Sequence, residues 1–333
     1  MDKSSRIMLT DHSGVGEARR MAADLIRGLS FDDTQAGKVS IVVTELAGNI
    51  IKHAARGLLL FRQLSDEQAP GLEVLALDKG PGMADVNRCL EDGYSTAGSP
   101  GTGLGAIARL SNLFEIYSLP EKGTAAVAHV SASARPKPRS PIVAGAVCLP
   151  KDGQRDCGDS WAVQVDQERA LILMADGLGH GTLAARAADE AVRVFRQNLR
   201  GHPVEIIEQA HGPLRATRGA GVSVAEWHYQ GQLLRYAGVG NIAGVILDGA
   251  ASRSLVTLGG TVGHELRQLR EFSYPCPSSA LLILHTDGLF SRWSLGQYPG
   301  LIACHPSLIA GVLYRDCTRG TDDVTVVVAR RRT

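Results

Sequence analysis

Read by its apolar positions, the chain changes period several times. Residues 6–10 form a short apolar run that predicts a strand, and Asp11–Ser13 offer N-cap chemistry for a helix through about residue 29. Residues 31–34 supply a second cap. From there to His53 the spacing is helical, with Val39, Val42, Leu46 and Ile50 on one face, and Gly57 is expected to end that helix. Leu58–Leu64 and Leu72–Leu77 read as strands, Gly105–Asn112 as a helix, and 114–119 with 124–131 as a closing hairpin. Between them, Asp78–Gly105 is glycine-rich and weakly patterned, and an unpatterned stretch of that length inside a domain is usually functional.

Ser133–Pro141, SARPKPRSP, interrupts the pattern. Proline-rich and basic, it reads as a linker spanning at most about 28 Å, taken at ~3.1 Å per residue. Strands then follow near 142–149, 161–166, 170–175, 221–227, 233–237, 243–247, 281–286 and 324–329, with helices over about 181–199, 203–216 and 305–316. Two domains are therefore expected, 1–132 and 142–333, both of α+β class: a two-layer α/β sandwich first, then antiparallel sheets covered by helices.

The composition changes this picture little. A chain of 333 residues with 44% hydrophobic and 21% charged residues is an ordinary globular sequence. A net charge of +1 without basic or acidic blocks argues against nucleic acid and membrane surfaces as partners. Nothing approaches the ~18 apolar residues of a spanning helix. The six cysteines form no CxxC pair and read as reduced thiols of a cytoplasmic protein.

The candidate chemistry begins where LILMADGLGHG, Leu171–Gly181, runs four apolar residues toward Asp176 and a glycine-rich turn. Asp159 precedes a strand in CGDSW, Asp287 ends the apolar run of LLILHTDGL, and Asp322–Asp323 precede VTVVVA. Carboxylates at several strand ends converge only around positive charge, and oxygen-only ligands favour Mg²⁺ or Mn²⁺. With the glycine-rich AGVGNI, Ala237–Ile242, this ordered set resembles the metal-dependent PPM family of protein serine/threonine phosphatases, in its SpoIIE/RsbX-like branch, over residues 142–331. The resemblance implies an α-β-β-α sandwich with two divalent ions. Asp176 would bridge them, the Gly177 carbonyl would bind one, and Asp159, Asp287 and Asp323 would complete the shell of the second metal, with Asp322 a neighbour and the order of that pair open. His180 reads either as a proton donor or as a packed loop histidine. No Ser/His/Asp or Cys-x5-Arg nucleophile motif is present.

In the N-terminal half, Glu45, Asn49 and His53 recur at intervals of four on one helix face, where a carboxylate and an amide need partners. Asp78 ends a strand and is placed to accept from an adenine amino group; GTGLGAI, Gly101–Ile107, leads into a helix whose start can hold phosphate oxygens. The set ELAGNIIKH, DKGPGM and GTGLGAI resembles the nucleotide-binding boxes of Bergerat-fold (GHKL) domains, and the surrounding spacing is similar to switch kinases of the RsbT kind. The resemblance implies ATP with Mg²⁺ on Asn49, Glu45 as catalytic base, Asp78, Gly80 and Gly82 at the adenine, and Gly101, Thr102, Gly103, Leu104 and Gly105 at the phosphates. Gly48 departs from it, because many switch kinases carry Arg before that Asn.

Taken together, the expectation is a cytoplasmic regulator that joins a serine/threonine kinase to a metal-dependent phosphatase. Its implied partners are STAS-domain antagonists or stressosome-type proteins, with a sigma factor and a second copy of the chain as further candidates. The rival reading makes the N-terminal domain a module that binds ATP or sequesters a partner without phosphotransfer.

Overall fold

A computed structural model describes residues 3–64, 70–90, 103–132 and 140–332. The expected linker and the Gly101–Thr102 start of the phosphate loop fall largely or wholly outside them. In chain order the elements are β1 (Ser5–Leu9), α1 (Ser13–Ile26), α2 (Asp33–Ala54), β2 (Gly57–Leu64), β3 (Gly71–Asp78), α3 (Val86–Leu90), α4 (Gly103–Leu110), β4 (Leu113–Leu119), β5 (Gly123–Ser131), β6 (Ile142–Leu149), β7 (Asp159–Val165) and β8 (Arg169–Gly177). They continue with α5 (Thr182–Gln197), α6 (Pro203–Leu214), β9 (Ala220–His228), β10 (Leu233–Val239), β11 (Ala243–Asp248), β12 (Ala251–Ser254), β13 (Phe272–Pro275), β14 (Leu281–His285), α7 (Pro306–Cys317) and β15 (Val324–Arg331). Among the described residues no helix is long and apolar enough to cross a membrane.

Two compact units form. One holds Asp2–Pro138 together with Ser294–Arg315; the other holds Arg139–Trp293 and Asp316–Thr333. The first contains an antiparallel sheet in the order β1-β2-β3-β5-β4. Alternation along its strands sends Leu59, Phe61, Leu72, Val74, Ala126 and Ala128 into one core with Val39, Val42, Leu46 and Ile50 of α2 and Ala18 and Ala22 of α1. Asp32 caps α2 by accepting from the Gln35 amide at 2.7 Å. Gly57 does not end this helix. The chain turns at Ala55, with φ 61°, and Gly57 opens β2. The helix α4 starts at Gly103, two residues earlier than its spacing suggests, and the short strands β12 and β13, whose residues are mostly exposed, carry no buried apolar run to announce them.

The opposite face of this sheet is also buried, at Leu60, Leu75, Leu77, Ala125 and Val127. Its cover is α7, whose residues Pro306 to Arg315 are all buried. A Cβ on Gly311 would lie 2.6 Å from Leu75 Cδ2, so the helix backbone rests on the strand side chains. Tyr314 accepts from Arg6 at 3.0 Å, and the Glu115 carboxylate accepts from the His305 amide at 2.9 Å. In the midst of this apolar face sits Glu73, paired with Arg62 at 2.9 Å, with His129 at 2.7 Å and with the Ser307 hydroxyl at 2.5 Å. The ligand atoms of Glu73, His129 and His305 lie within 4.8 Å of one another. Arg62 already supplies the positive charge there, so the cluster reads as a buried ion-pair network. Burial alone would push the Glu73 carboxyl up, but Arg62 and His129 outweigh it and hold it well below the usual carboxylate range.

The second unit stacks two antiparallel sheets, β13-β10-β9-β8-β7 and β12-β11-β14-β15-β6. Trp161, Met174, Trp227 and Tyr236 of the first interdigitate with Ile246, Leu282, Leu284 and Val327 of the second. On the outer face of the first sheet, Leu171, Leu173, Val222 and Val224 pack against Ala187, Ala191, Phe195, Ile206 and Ile207 of α5 and α6.

Removing Glu73 strands a buried guanidinium. Glu73→Ala is expected to cost about 3–5 kcal/mol in urea unfolding, whereas a Glu73→Leu, Arg62→Met pair is expected to lie near the parent. Because the Glu73 carboxyl is held low in the folded chain, its contribution is fully present above the ordinary carboxylate range and is lost progressively as pH falls from there through the depressed folded value.

Candidate functional site

In the second unit, acidic side chains gather where strands end. Asp159 opens β7 and pairs directly across from Asp176 near the end of β8. Like charges opposed on neighbouring strands repel, so this register is unfavourable unless something positive lies between them. From the other sheet, Asp287 follows β14 and Asp322–Asp323 precede β15. Thr286 ties the sheets together: its hydroxyl donates to Asp159 Oδ2 at 2.8 Å and accepts from the Thr325 amide at 2.9 Å. Asn241, at the end of the AGVGNI turn, donates to Asp287 Oδ2 at 2.8 Å.

The local sequence makes this geometry possible. A Cβ on Gly177 would lie 2.1 Å from the Ala184 carbonyl oxygen, so only glycine lets the strand after Asp176 press against the start of α5. The Gly177 amide donates to the Gly158 carbonyl at 3.0 Å, which keeps the strand ends of Asp176 and Asp159 together.

Asp323 is occupied. Its two oxygens accept from the Lys151 and Gly158 amides at 2.8 and 2.9 Å, and it is buried. Asp322 is half-buried and accepts through Oδ1 from the Asp323 amide. Asp323 thus pins two loops, while Asp322 keeps its second oxygen for other work. His180 is exposed in the turn, as are Leu178 and Gly179.

Charge describes the site as well as position does. Burial pushes the Asp159 carboxyl well above its usual range, and the neighbouring Asp176 adds to the effect. Asp176 is pushed up to about 7 by burial and by the Asp287 charge, against the Asn241 hydrogen bond. None of Asp159, Asp176, Asp287, Asp322 or Asp323 forms an ion pair among the described residues. Clustered carboxylates, two buried and three half-buried, without such a pairing among the described residues fit divalent ions bound through oxygen. Asn241 and Thr286 were not singled out in the sequence. Their only signal there is adjacency, Asn241 within AGVGNI and Thr286 just before Asp287.

The first unit brings a second set together. Glu45 and Asn49 lie one turn apart on α2, and a Cβ on Gly103 would sit 2.6 Å from Glu45 Oε2 and 4.0 Å from Asn49 Oδ1. The start of α4 therefore lies over both side chains. Asn49 Nδ2 is buried and has no hydrogen-bond partner among the described residues, which leaves it open to a ligand. Asp78 Oδ1 accepts from the Gly80 amide at 2.8 Å and the Thr124 amide at 3.1 Å, which leaves Oδ2 without a hydrogen bond among the described residues. Burial pushes Asp78 up, while those two amides oppose it. Gly82, with φ 73°, passes against the Leu119 carbonyl. Leu104 is half-buried and Gly105 buried at the start of α4. A Cβ at Gly48 would meet nothing within 4 Å, so the missing arginine reflects no lack of room at that atom.

Residues 166–332, half of the chain, match the family profile described as Stage II sporulation protein E (SpoIIE). The chain belongs to the SpoIIE family. Ahead of that match, residues 10–128 match a histidine kinase-like ATPase domain. Two Bacillus subtilis (strain 168) proteins divide the chain in the same way. The serine/threonine-protein kinase RsbT is 31% identical over 124 residues, which is 37% of this chain and 93% of RsbT. The phosphoserine phosphatase RsbX is 29% identical over 144 residues, 42% of this chain and 71% of RsbX. A solved structure from work on the bacterial stressosome as a modular system adapted to control secondary messenger signalling covers 57% of the chain and 99% of its own, at TM-score 0.54 and 27% identity. RsbX in complex with magnesium covers 59% and 98% at TM-score 0.50 and 21% identity, a likeness of fold. This SpoIIE-family chain thus joins an RsbT-like domain to an RsbX-like phosphatase fold.

Saturating Mg²⁺ or Mn²⁺ is expected to stabilise the chain by about 2.7 kcal/mol at a hundredfold excess over Kd. Scanning calorimetry reads this as a rise in melting temperature, and Asp176→Asn, which removes one of the opposed carboxylates, should lose most of it.

Proposed function

We propose that this chain is a bifunctional partner-switching regulator: a protein serine/threonine kinase of STAS-type antagonists and a Mg²⁺- or Mn²⁺-dependent phosphoserine/phosphothreonine protein phosphatase. The observation that carries the reading is the cation-seeking pair of buried Asp159 and half-buried Asp176, opposed across two strands and joined by Asp287 and Asp322. The likeness to RsbT and RsbX supports assigning the two activities to the two halves.

In the phosphatase site, Asp176, the Gly177 carbonyl, Asp159, Asp287 and Asp322 would hold the ions. Asp322 takes the place first given to Asp323, because both Asp323 oxygens already hold backbone amides. Bound there, a metal pair supplies a water activated at neutral pH and neutralises phosphoryl charge. Asn241 orients Asp287 and the Thr286 hydroxyl orients Asp159.

In the kinase site, Asp78 Oδ2 accepts from the adenine amino group and Asn49 turns its amide toward Mg-ATP. Glu45, beside the start of α4, accepts the proton of the substrate hydroxyl. Gly101, Thr102, Gly103, Leu104 and Gly105 meet the phosphates. One observation favours a second reading in which this half only binds ATP: Gly48 leaves the position before Asn49 without the charge that many switch kinases carry there.

The test incubates the chain with labelled ATP, Mg²⁺ and a STAS-domain protein. Transfer by the parent, and a loss of ~10²–10⁴-fold in Glu45→Ala with ATP affinity kept, is the expected outcome. Binding without transfer decides for the second reading. In the reverse direction, phosphate release from the phosphorylated STAS protein should vanish in Asp176→Asn, and release that persists in excess EDTA overturns the metal-dependent mechanism.

A further inference from the structure

Residues 294–315 belong to the phosphatase half by sequence and to the nucleotide-binding unit by packing. They leave the chain shortly after Asp287 and return it shortly before Asp322. The last of them, Arg315, is buried at 8% exposure and reaches the strand end that carries Asp78. Its Nη1 donates to the Asp78 carbonyl at 2.9 Å and to the Thr124 carbonyl at 3.4 Å.

That contact falls where the sheet stops. The β3–β5 ladder closes at Leu77 opposite Ala125. In the next pair, Thr124 gives its amide to the Asp78 side chain, so the two backbone carbonyls are left to find donors elsewhere. Gly123, with φ 84°, lets the chain turn back against this point, since a Cβ there would lie 2.2 Å from the Asp78 carbonyl oxygen. One guanidinium thus holds both sides of the strand end, and with them the carboxylate that this end presents.

We propose that Arg315, lent by the phosphatase sequence, is a positioning residue of the nucleotide site: it fixes Asp78 so that Oδ2 meets the adenine amino group. The inference rests on the reading of Asp78 as the adenine acceptor. It makes base recognition in the kinase half depend on a helix inserted between two acidic positions of the phosphatase half.

The test measures, by calorimetry on the full chain, binding of a non-hydrolysable ATP analogue and of the same compound lacking the 6-amino group. The parent chain is expected to prefer the amino compound. Arg315→Gln leaves two buried carbonyls short of a donor and should weaken the amino compound by about 10-fold while changing its counterpart little. Arg315→Lys, which keeps the charge and can reach one carbonyl, should recover part of the preference and guards against a glutamine variant that fails to fold. Equal weakening of both compounds, or no weakening of either, overturns the proposal. A parent chain that binds both compounds alike overturns the Asp78 assignment and the inference with it, and is distinguished by appearing before any substitution is made.

Discussion

Two aspartates that repel each other are the constraint around which the phosphatase half is built. Buried Asp159 and half-buried Asp176 face one another on adjacent strands, where holding two negative charges together is costly. Everything nearby holds them in that unfavourable place. The Gly177 and Gly158 backbones join the two strand ends, the Thr286 hydroxyl reaches across from the second sheet, and Asp323 fastens the Lys151 and Gly158 amides from below. A stacked pair of sheets suits such a task, because each sheet delivers strand ends to the same rim and the apolar core between them resists movement.

The nucleotide half solves a different problem. A single sheet with helices on one face leaves its other face apolar, and Leu60, Leu75, Leu77, Ala125 and Val127 need cover. The cover comes from α7, which the sequence places between β14 and β15 of the other unit. Glu73, Arg62, His129 and Ser307 add directionality to what would otherwise be a greasy contact. A buried ion pair of this kind adds little net stability but penalises any alternative seating of the helix, since misplacement leaves its charges unsatisfied. The unit that holds Asp2–Pro138 is completed by Ser294–Arg315, a segment far away in the sequence.

How much of this was legible in the sequence follows from the range of the interactions involved. Period and turn chemistry are local, so the α2 face through Val39, Val42, Leu46 and Ile50 and the apolar strands around Asp176 could be read directly. The ordered boxes ELAGNIIKH, DKGPGM and GTGLGAI, and the aspartates at strand ends, were legible for the same reason: each is a short string whose residue types suit one chemistry. Where signals were weak or local rules competed, the reading slipped, as at Gly57, which opens a strand because Ala55 already takes the turn with positive φ.

What only the tertiary structure decided was partnership across long separations. Asp322 and Asp323 are adjacent and chemically identical, and nothing local says which carboxylate is consumed by the Lys151 and Gly158 amides. Asn241 and Thr286 gain meaning only once Asp287 and Asp159 are beside them. The pattern over 305–316 predicts a helix but carries no record of which sheet it covers, because apolar contact is non-directional. Composition and spacing determined the elements and the kinds of chemistry. The packing of α7 on the β1-β2-β3-β5-β4 sheet within one compact unit, and the Arg315 contact at Asp78 that follows from it, were decided by geometry alone.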